Sequence, residues 1–135
     1  MATKIFVNLP VKDLRRSVRF FKGVGYSFNA QFSDETAACM VISNDIFAML
    51  LTEAKFREIT RKPIADATRA TEVLTCLSVE SRAQVDQLVD RALAQGGTEA
   101  RDPEDHGFMY GRSFNDLDGH IWEVIYMDQK AMSRG

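Results

Sequence analysis

The sequence predicts an α+β fold built from two βαβββ modules. Three observations carry this. Strand and helix periodicities follow in the same order in each half of the chain: strand, helix, strand, strand, strand. A charged stretch, residues 54–71, contains Pro63 and interrupts both periodicities between the halves. A faint internal repeat matches Leu9-Pro10-Val11 to Leu77-Ser78-Val79, and Phe20-Phe21 to Leu88-Val89, at an offset of 68 residues.

Residues 4–10 (Lys-Ile-Phe-Val-Asn-Leu-Pro) are rich in β-branched and aromatic side chains and predict a strand. Asp13 then stands as an N-cap, because its short carboxylate can accept the free N–H groups of a first helical turn. Leu14, Val18 and Phe21 follow at helical spacing with Phe20 beside them, and Gly23 and Gly25 close the helix. Tyr26, Phe28, Ala30 and Phe32 alternate with Ser27, Asn29, Gln31 and Ser33, which predicts a strand with one apolar face. Strands at 36–43 and 46–53 flank the hairpin turn Ser43-Asn44-Asp45. One short helix, around residues 53–60, opens the linker.

The second half opens with a strand over 72–80. Ser81-Arg82-Ala83-Gln84 is a capping box, and Val85, Leu88, Val89, Ala92 and Leu93 form one apolar helix face that Gly96-Gly97 ends. A short run at 98–101 and strands at 109–116 and 120–127 complete the module. The expected organisation is one domain over 1–135: module 1 about 4–53, linker 54–71, module 2 about 72–127 and a tail over 128–135. One module alone leaves a sheet face bare. Two can curl around a common cleft and place a ligand pocket there.

Composition narrows the function. The chain has 135 residues, 45% hydrophobic and 27% charged, enough for one folded core. Seventeen Lys and Arg against nineteen Asp and Glu give a formal charge of −2, with no basic excess to draw nucleic acid or an anionic membrane. No apolar run approaches the ~20 residues of a membrane span, and the first residues carry no secretory pattern. Cys39 and Cys76 lie in apolar runs and form no CxxC pair, as expected of reduced thiols in a cytoplasmic protein. No GxGxxG, P-loop, Ser-His-Asp order or Cys-His cluster is present.

Three segments carry a resemblance. They are Val11-Lys12-Asp13-Leu14-Arg15-Arg16-Ser17-Val18-Arg19-Phe20-Phe21, Gly111-Arg112-Ser113-Phe114, and Asp116-Leu117-Asp118-Gly119-His120-Ile121-Trp122-Glu123. With the βαβββ repeat they resemble the vicinal oxygen chelate superfamily of glyoxalase I, fosfomycin-modifying enzymes, extradiol dioxygenases and bleomycin-resistance proteins. The last segment is similar to that family's D-P-D-G-x-x-x-E signature, with Leu117 in place of Pro. The resemblance covers nearly the whole chain. It implies the glyoxalase/bleomycin-resistance/dioxygenase fold, a homodimer and a small-molecule ligand.

The resemblance also implies a divalent metal, held by His, Gln or Glu at four strand positions. Mapped here, those positions fall on Phe6, Ala48, Leu74 and Glu123. Three of the four offer no lone pair to a cation, so no metal cofactor is expected. A shift of one or two residues brings in Asn8, Glu53 or Glu72, an unusual set. The alternative is a divalent metal involving Glu123.

Strand alternation groups Ile121, Glu123 and Ile125 against Trp122, Val124 and Tyr126. The implied cleft face then holds Phe6, Asn8, Ala48, Leu50, Leu74, Cys76, Ile121 and Glu123. There Glu123 serves as an acid, a base or a partner for a cationic ligand. Otherwise it pairs with a nearby Arg or Lys, or bonds to Tyr110 or Asn8. His106 is a candidate ligand contact in a polar loop, and His120 sits in a turn, exposed or packed on it. Tyr110 and Arg112 share a strand face and together can orient a carboxylate or phosphate; otherwise Arg112 forms a surface or dimer-interface ion pair. Three functions follow. One is a glyoxalase/bleomycin-resistance-like protein that binds a small organic molecule in an apolar cleft without the full metal site. Another is a glyoxalase-like lyase or isomerase acting through Glu123. A third is a vestigial fold kept as an interaction module.

Overall fold

A computed structural model describes residues 3–132. The chain divides into two compact units, Met1–Ala65 and Asp66–Gly135. Each has the order strand, helix, then further strands, so the fold is the α+β repeat the periodicity predicts.

The first unit contains β1 (Ile5–Val11), α1 (Leu14–Val24), β2 (Ser27–Asn29), β3 (Ala37–Val41), β4 (Ile46–Thr52) and α2 (Glu53–Ile59). Its sheet runs β1-β4-β3-β2, with β1 parallel to β4 and the other pairs antiparallel. Asp13 caps α1 by accepting the Arg16 N–H at 3.2 Å. Gly25 ends it at φ 125°, a backbone shape that favours glycine. The apolar alternation after Gly25 does not make a long strand. Asn29 accepts the Gln31 N–H at 3.0 Å, and the Ser33 hydroxyl donates to the Asn29 carbonyl at 2.7 Å. These local bonds curl Ala30–Phe32 into a 3-10 turn and leave Phe32 exposed.

Register decides which residues of this sheet face which way. Val7 and Leu9 pair with Ala48 and Leu50, while Phe6 and Asn8 pair with Phe47 and Met49. Ala48 and Leu50 are 0% exposed, in the core beneath α1 with Leu9, Phe20 and Phe21. Both residues were expected beside Phe6 and Asn8, and both lie on the opposite face. The expected overlay of Ile46-Phe47-Ala48 on Ile121-Trp122-Glu123 is one residue out. Asn8 pairs with Met49, Cys76 pairs with Glu123, and Asn8 and Cys76 are one repeat apart. Met49 therefore holds the place of Glu123 in the first unit. A slip of one residue exchanges the two faces of a strand.

The second unit contains β5 (Leu74–Ser78), α3 (Arg82–Ala94), β6 (Thr98–Glu99), β7 (Glu104–Asp105), β8 (Met109–Asn115), β9 (Ile121–Met127) and α4 (Gln129–Met132). The sheet runs β5-β9-β8-β6, and β7 also pairs with β8. The short β7 and α4 carry too few residues for a periodicity to announce them. The Ser81 hydroxyl accepts the Gln84 N–H at 3.1 Å, and the Gln84 side chain accepts the Glu80 N–H at 2.7 Å. The return bond thus lands one residue earlier than in a standard capping box. Val85, Val89 and Ala92 of α3 are buried with Phe114, Trp122 and Val124 of the sheet.

The turn between β8 and β9 is built around Asp116. Its Oδ1 accepts the N–H groups of Asp118 at 2.9 Å and His120 at 3.0 Å, and its Oδ2 accepts Trp122 Nε1–H at 3.0 Å. Gly119 lies at φ +87°, and a Cβ there would meet the backbone of Ala67 and Thr68 at 2.8–2.9 Å. Only glycine fits this close approach. His120 is buried, with Nδ1 3.3 Å from Glu72 Oε2, and is not an exposed turn residue.

Candidate functional site

Glu123 lies on β9, on the face of the second sheet turned away from α3. Pairing places Cys76 beside it on β5 and Ser113 beside it on β8. Leu74 pairs with Ile121, and Ser78 and Gly111 with Ile125, so these residues share the face. Leu74 is 57% exposed, which leaves apolar surface next to a carboxylate.

The Glu123 carboxylate meets a cation. Arg101 Nη2 donates to its Oε2 at 2.6 Å. The same guanidinium bonds Glu104 through Nη1, and Glu104 Oε2 lies 3.4 Å from His106 Nε2. A chain Glu123–Arg101–Glu104–His106 therefore borders the apolar patch. The Glu123 side chain is 17% exposed and that of Arg101 53%, so the pair is anchored from below and open above. Of the alternatives weighed for Glu123, the pairing with an arginine is the one found. Arg101 was missed because it stands in a loop whose path no periodicity gives. Its i,i+3 spacing from Glu104 was the available signal.

Two neighbours complete the chemistry. Cys76 is exposed as a residue, yet burial of its sulfur, and after it the charge of Glu123, raises the thiol pKa, with Arg101 opposing. That makes it a poor nucleophile. The Ser113 hydroxyl is buried and has no hydrogen-bond partner among the described residues. It sits across from Glu123, beneath this polar chain.

Tyr110 and Arg112 do share a face, but it is the one covered by α3. Tyr110 Oη donates to Asp86 at 2.6 Å. Arg112 donates to Asp86 at 3.0 Å, Asp90 at 2.9 Å and Glu99 at 3.0 Å. The guanidinium is 11% exposed and its fork is occupied, so Arg112 ties α3 and β6 to the sheet. Strand parity could place these two residues together but could not choose the face. In the first unit, Phe6 stacks on Phe47 with ring centroids 4.8 Å apart, and the Asn8 side chain donates to its own strand at the Phe6 carbonyl.

The donor set does not fit a divalent cation of the family's kind. Corrected for register, the four positions hold Phe6, Met49, Leu74 and Glu123, and the first three present no oxygen or nitrogen. A hard or borderline cation needs several such donors. The carboxylate that remains faces the positive charge of Arg101, which opposes a second cation. Among the described residues no group of three or more His, Cys, Asp or Glu is placed to hold a metal ion. None of their helices is long and apolar enough to cross a membrane.

Known proteins agree with the fold. A hypothetical protein from S. aureus is 28% identical and superposes with a TM-score of 0.78, covering 93% of this chain and 94% of that one. A glyoxalase/bleomycin resistance protein/dioxygenase family enzyme from Burkholderia phytofirmans PsJN is 15% identical, with a TM-score of 0.78 and coverage of 93% and 99%. The fosfomycin resistance protein FosX from Mesorhizobium loti is 16% identical, with a TM-score of 0.70 and coverage of 98% of both chains. No curated protein matches by sequence. The family model for the Glyoxalase/Bleomycin resistance protein/Dioxygenase superfamily matches residues 5–124, nearly the whole chain. With its repeat, its two sheets and the Asp116–Glu123 turn and strand, this chain belongs to that superfamily.

Proposed function

We propose that the chain binds a small, largely apolar organic molecule on the open face of its second sheet, without the divalent metal of the family's enzymes. One observation carries the reading: the Glu123 carboxylate, on the strand that supplies the implied glutamate ligand, is bonded to Arg101 at 2.6 Å. The arginine does locally what a cation would do. Leu74, Ile121 and Ile125 offer apolar contact, and the Arg101–Glu123 pair offers a donor and an acceptor for one polar group of the ligand. The reading includes a cytoplasmic location and a homodimer, and sedimentation velocity tests the dimer.

The experiment is a thermal-shift screen of small organic molecules on chelator-treated protein, repeated with Zn²⁺, Ni²⁺, Mn²⁺ and Fe²⁺, with elemental analysis of untreated protein. Hits are expected without metal. Glu123→Gln and Arg101→Gln should each weaken a hit by about tenfold, ~1.4 kcal/mol. In Glu123→Gln stability should fall by less than about 1 kcal/mol, because the Arg101 left behind is half exposed and can be rehydrated. One divalent ion per chain lost in Glu123→Gln would overturn the reading. So would binding that is the same in both variants. Turnover of a substrate that Glu123→Gln abolishes while binding persists would instead establish a lyase or isomerase using Glu123 as acid or base.

A further inference from the structure

Charge is divided unevenly along the chain. Residues 1–65 hold ten Lys and Arg against six Asp and Glu, and residues 66–135 hold seven against thirteen. Helix α1 concentrates the excess: Arg15, Arg16, Arg19 and Lys22 lie within its eleven residues, and it contains no acid. Arg15, Arg19 and Lys22 stand at i, i+4 and i+7, one stripe about 10 Å long. None of the three enters an ion pair among the described residues.

That stripe forms a rim of an open groove of about 1120 Å³ within the first unit. The floor is apolar, with Leu14 and Val18 from α1 and Phe28 and Ala38 from the sheet. Asp34 and Glu35 also line it. Asp34 is already engaged by the Thr36 and Ala37 N–H groups and the Thr36 hydroxyl. A cationic rim beside an apolar floor matches a molecule with a hydrocarbon body and an anionic end. The two acids repel a polyanion such as nucleic acid and leave α1 as the side that attracts a single negative head.

We propose that this groove binds an anionic amphiphile, a single hydrocarbon chain ending in one carboxylate, sulfate or phosphate. The site shares no residue with the open face of the second sheet, so each reading stands without the other.

The test titrates ¹⁵N-labelled full-length protein with decanoate and with decyl sulfate below their micelle concentrations, with decyltrimethylammonium as the cationic control. Amide shifts should cluster at Leu14, Val18, Phe28 and Ala38. Both anions should bind at least about tenfold more tightly than the ammonium. The exposed triple change Arg15→Gln, Arg19→Gln, Lys22→Gln should weaken decanoate about tenfold or more, and added salt should weaken it too. Arg19→Glu alone should act in the same direction should the triple variant fold poorly. Arg16→Gln, on the same helix outside the groove, should leave affinity unchanged. Equal binding of the ammonium, unchanged affinity in both Arg19 variants, or shifts elsewhere would overturn the proposal. So would co-sedimentation with phosphatidylglycerol vesicles without binding of monomeric decanoate, which would assign the stripe to a membrane surface.

Discussion

Asp116→Ala should lower the unfolding free energy by about 3–5 kcal/mol, measured by urea denaturation at neutral pH. The carboxylate is 7% exposed and accepts three donors: the N–H groups of Asp118 and His120 and the indole of Trp122. Alanine removes the acceptor all three use, and each lost buried bond costs about 1–3 kcal/mol before water relaxes the site. Asp116→Asn should cost less, about 1–2 kcal/mol. Its oxygen can keep both backbone bonds, while its NH₂ group meets the Trp122 N–H donor to donor. The pair of variants also has a pH signature. Burial pushes the Asp116 carboxyl above its ordinary range, against the opposing charge of His120 and the Trp122 hydrogen bond. The folded state therefore holds this proton more tightly than the unfolded chain. Wild type should gain stability relative to Asp116→Asn as pH falls from neutral through that raised value toward 3.8. The gain should be absent when Asp116→Asn is compared with Asp116→Ala. A flat difference between wild type and Asp116→Asn across that range would show that burial does not dominate at this carboxyl. The site should also respond, because Trp122 is the residue before Glu123, and loosening it displaces the carboxylate from Arg101.

The same residues show what could be read from sequence. Asp116, Gly119 and Glu123 are spaced by a turn whose chemistry is local, so their motif carried the fold to the right place. The repeat of Leu9-Pro10-Val11 in Leu77-Ser78-Val79 likewise reported real equivalence, because β1 and β5 hold the same place in their units. Register was harder to read. Ile46 through Leu51 is apolar on both faces, since α1 covers one and α2 contacts the strand as well. A strand without alternation gives no parity, and Ala48 and Leu50 were therefore assigned to the wrong face. Glu123 has apolar residues at both adjoining same-face positions, which marked it as a buried charge in need of a partner. The partner arrives from a loop, and only three-dimensional closure brings Arg101 to it. For Tyr110 and Arg112 the shared face was legible but not which face it is: alternation groups residues without saying which group α3 covers, and a helix with Asp86 and Asp90 at one stripe can hold cations on that side.

Those acids set the second large effect. Arg112→Met is expected to destabilise the fold by about 2–4 kcal/mol. The aliphatic stem of methionine preserves most of the packing, so the loss comes from charge. Arg112 is 11% exposed and bonds three carboxylates, two on α3 and one on β6. Removing it sets Asp86, Asp90 and Glu99 against one another with no cation between them. These partners are 44–65% exposed and regain water, which keeps the figure below the cost of breaking a fully buried pair. Arg112→Lys keeps the charge but not the fork, because one ammonium cannot reach all three acids, and should cost about 1–2 kcal/mol. The pH dependence has the opposite sign to that of Asp116. The Tyr110 hydroxyl first, and Arg112 after it, hold the Asp86 carboxyl below its ordinary range. That contribution is present above the unfolded value of 3.8 and is lost as pH falls through the lower folded value. The gap between wild type and Arg112→Met should therefore narrow in acid, where the carboxylates lose their charge. A gap that stays constant from neutral pH to below 3.8 would mean that packing, not charge, is what the arginine supplies. The consequence reaches the site because Glu99 ends β6 two residues before Arg101. Releasing β6 frees the loop that carries Arg101, so Arg112→Met should weaken ligand binding on the open face although Arg112 lies on the other side of the sheet. Arg112→Lys, which keeps β6 paired, should retain that binding.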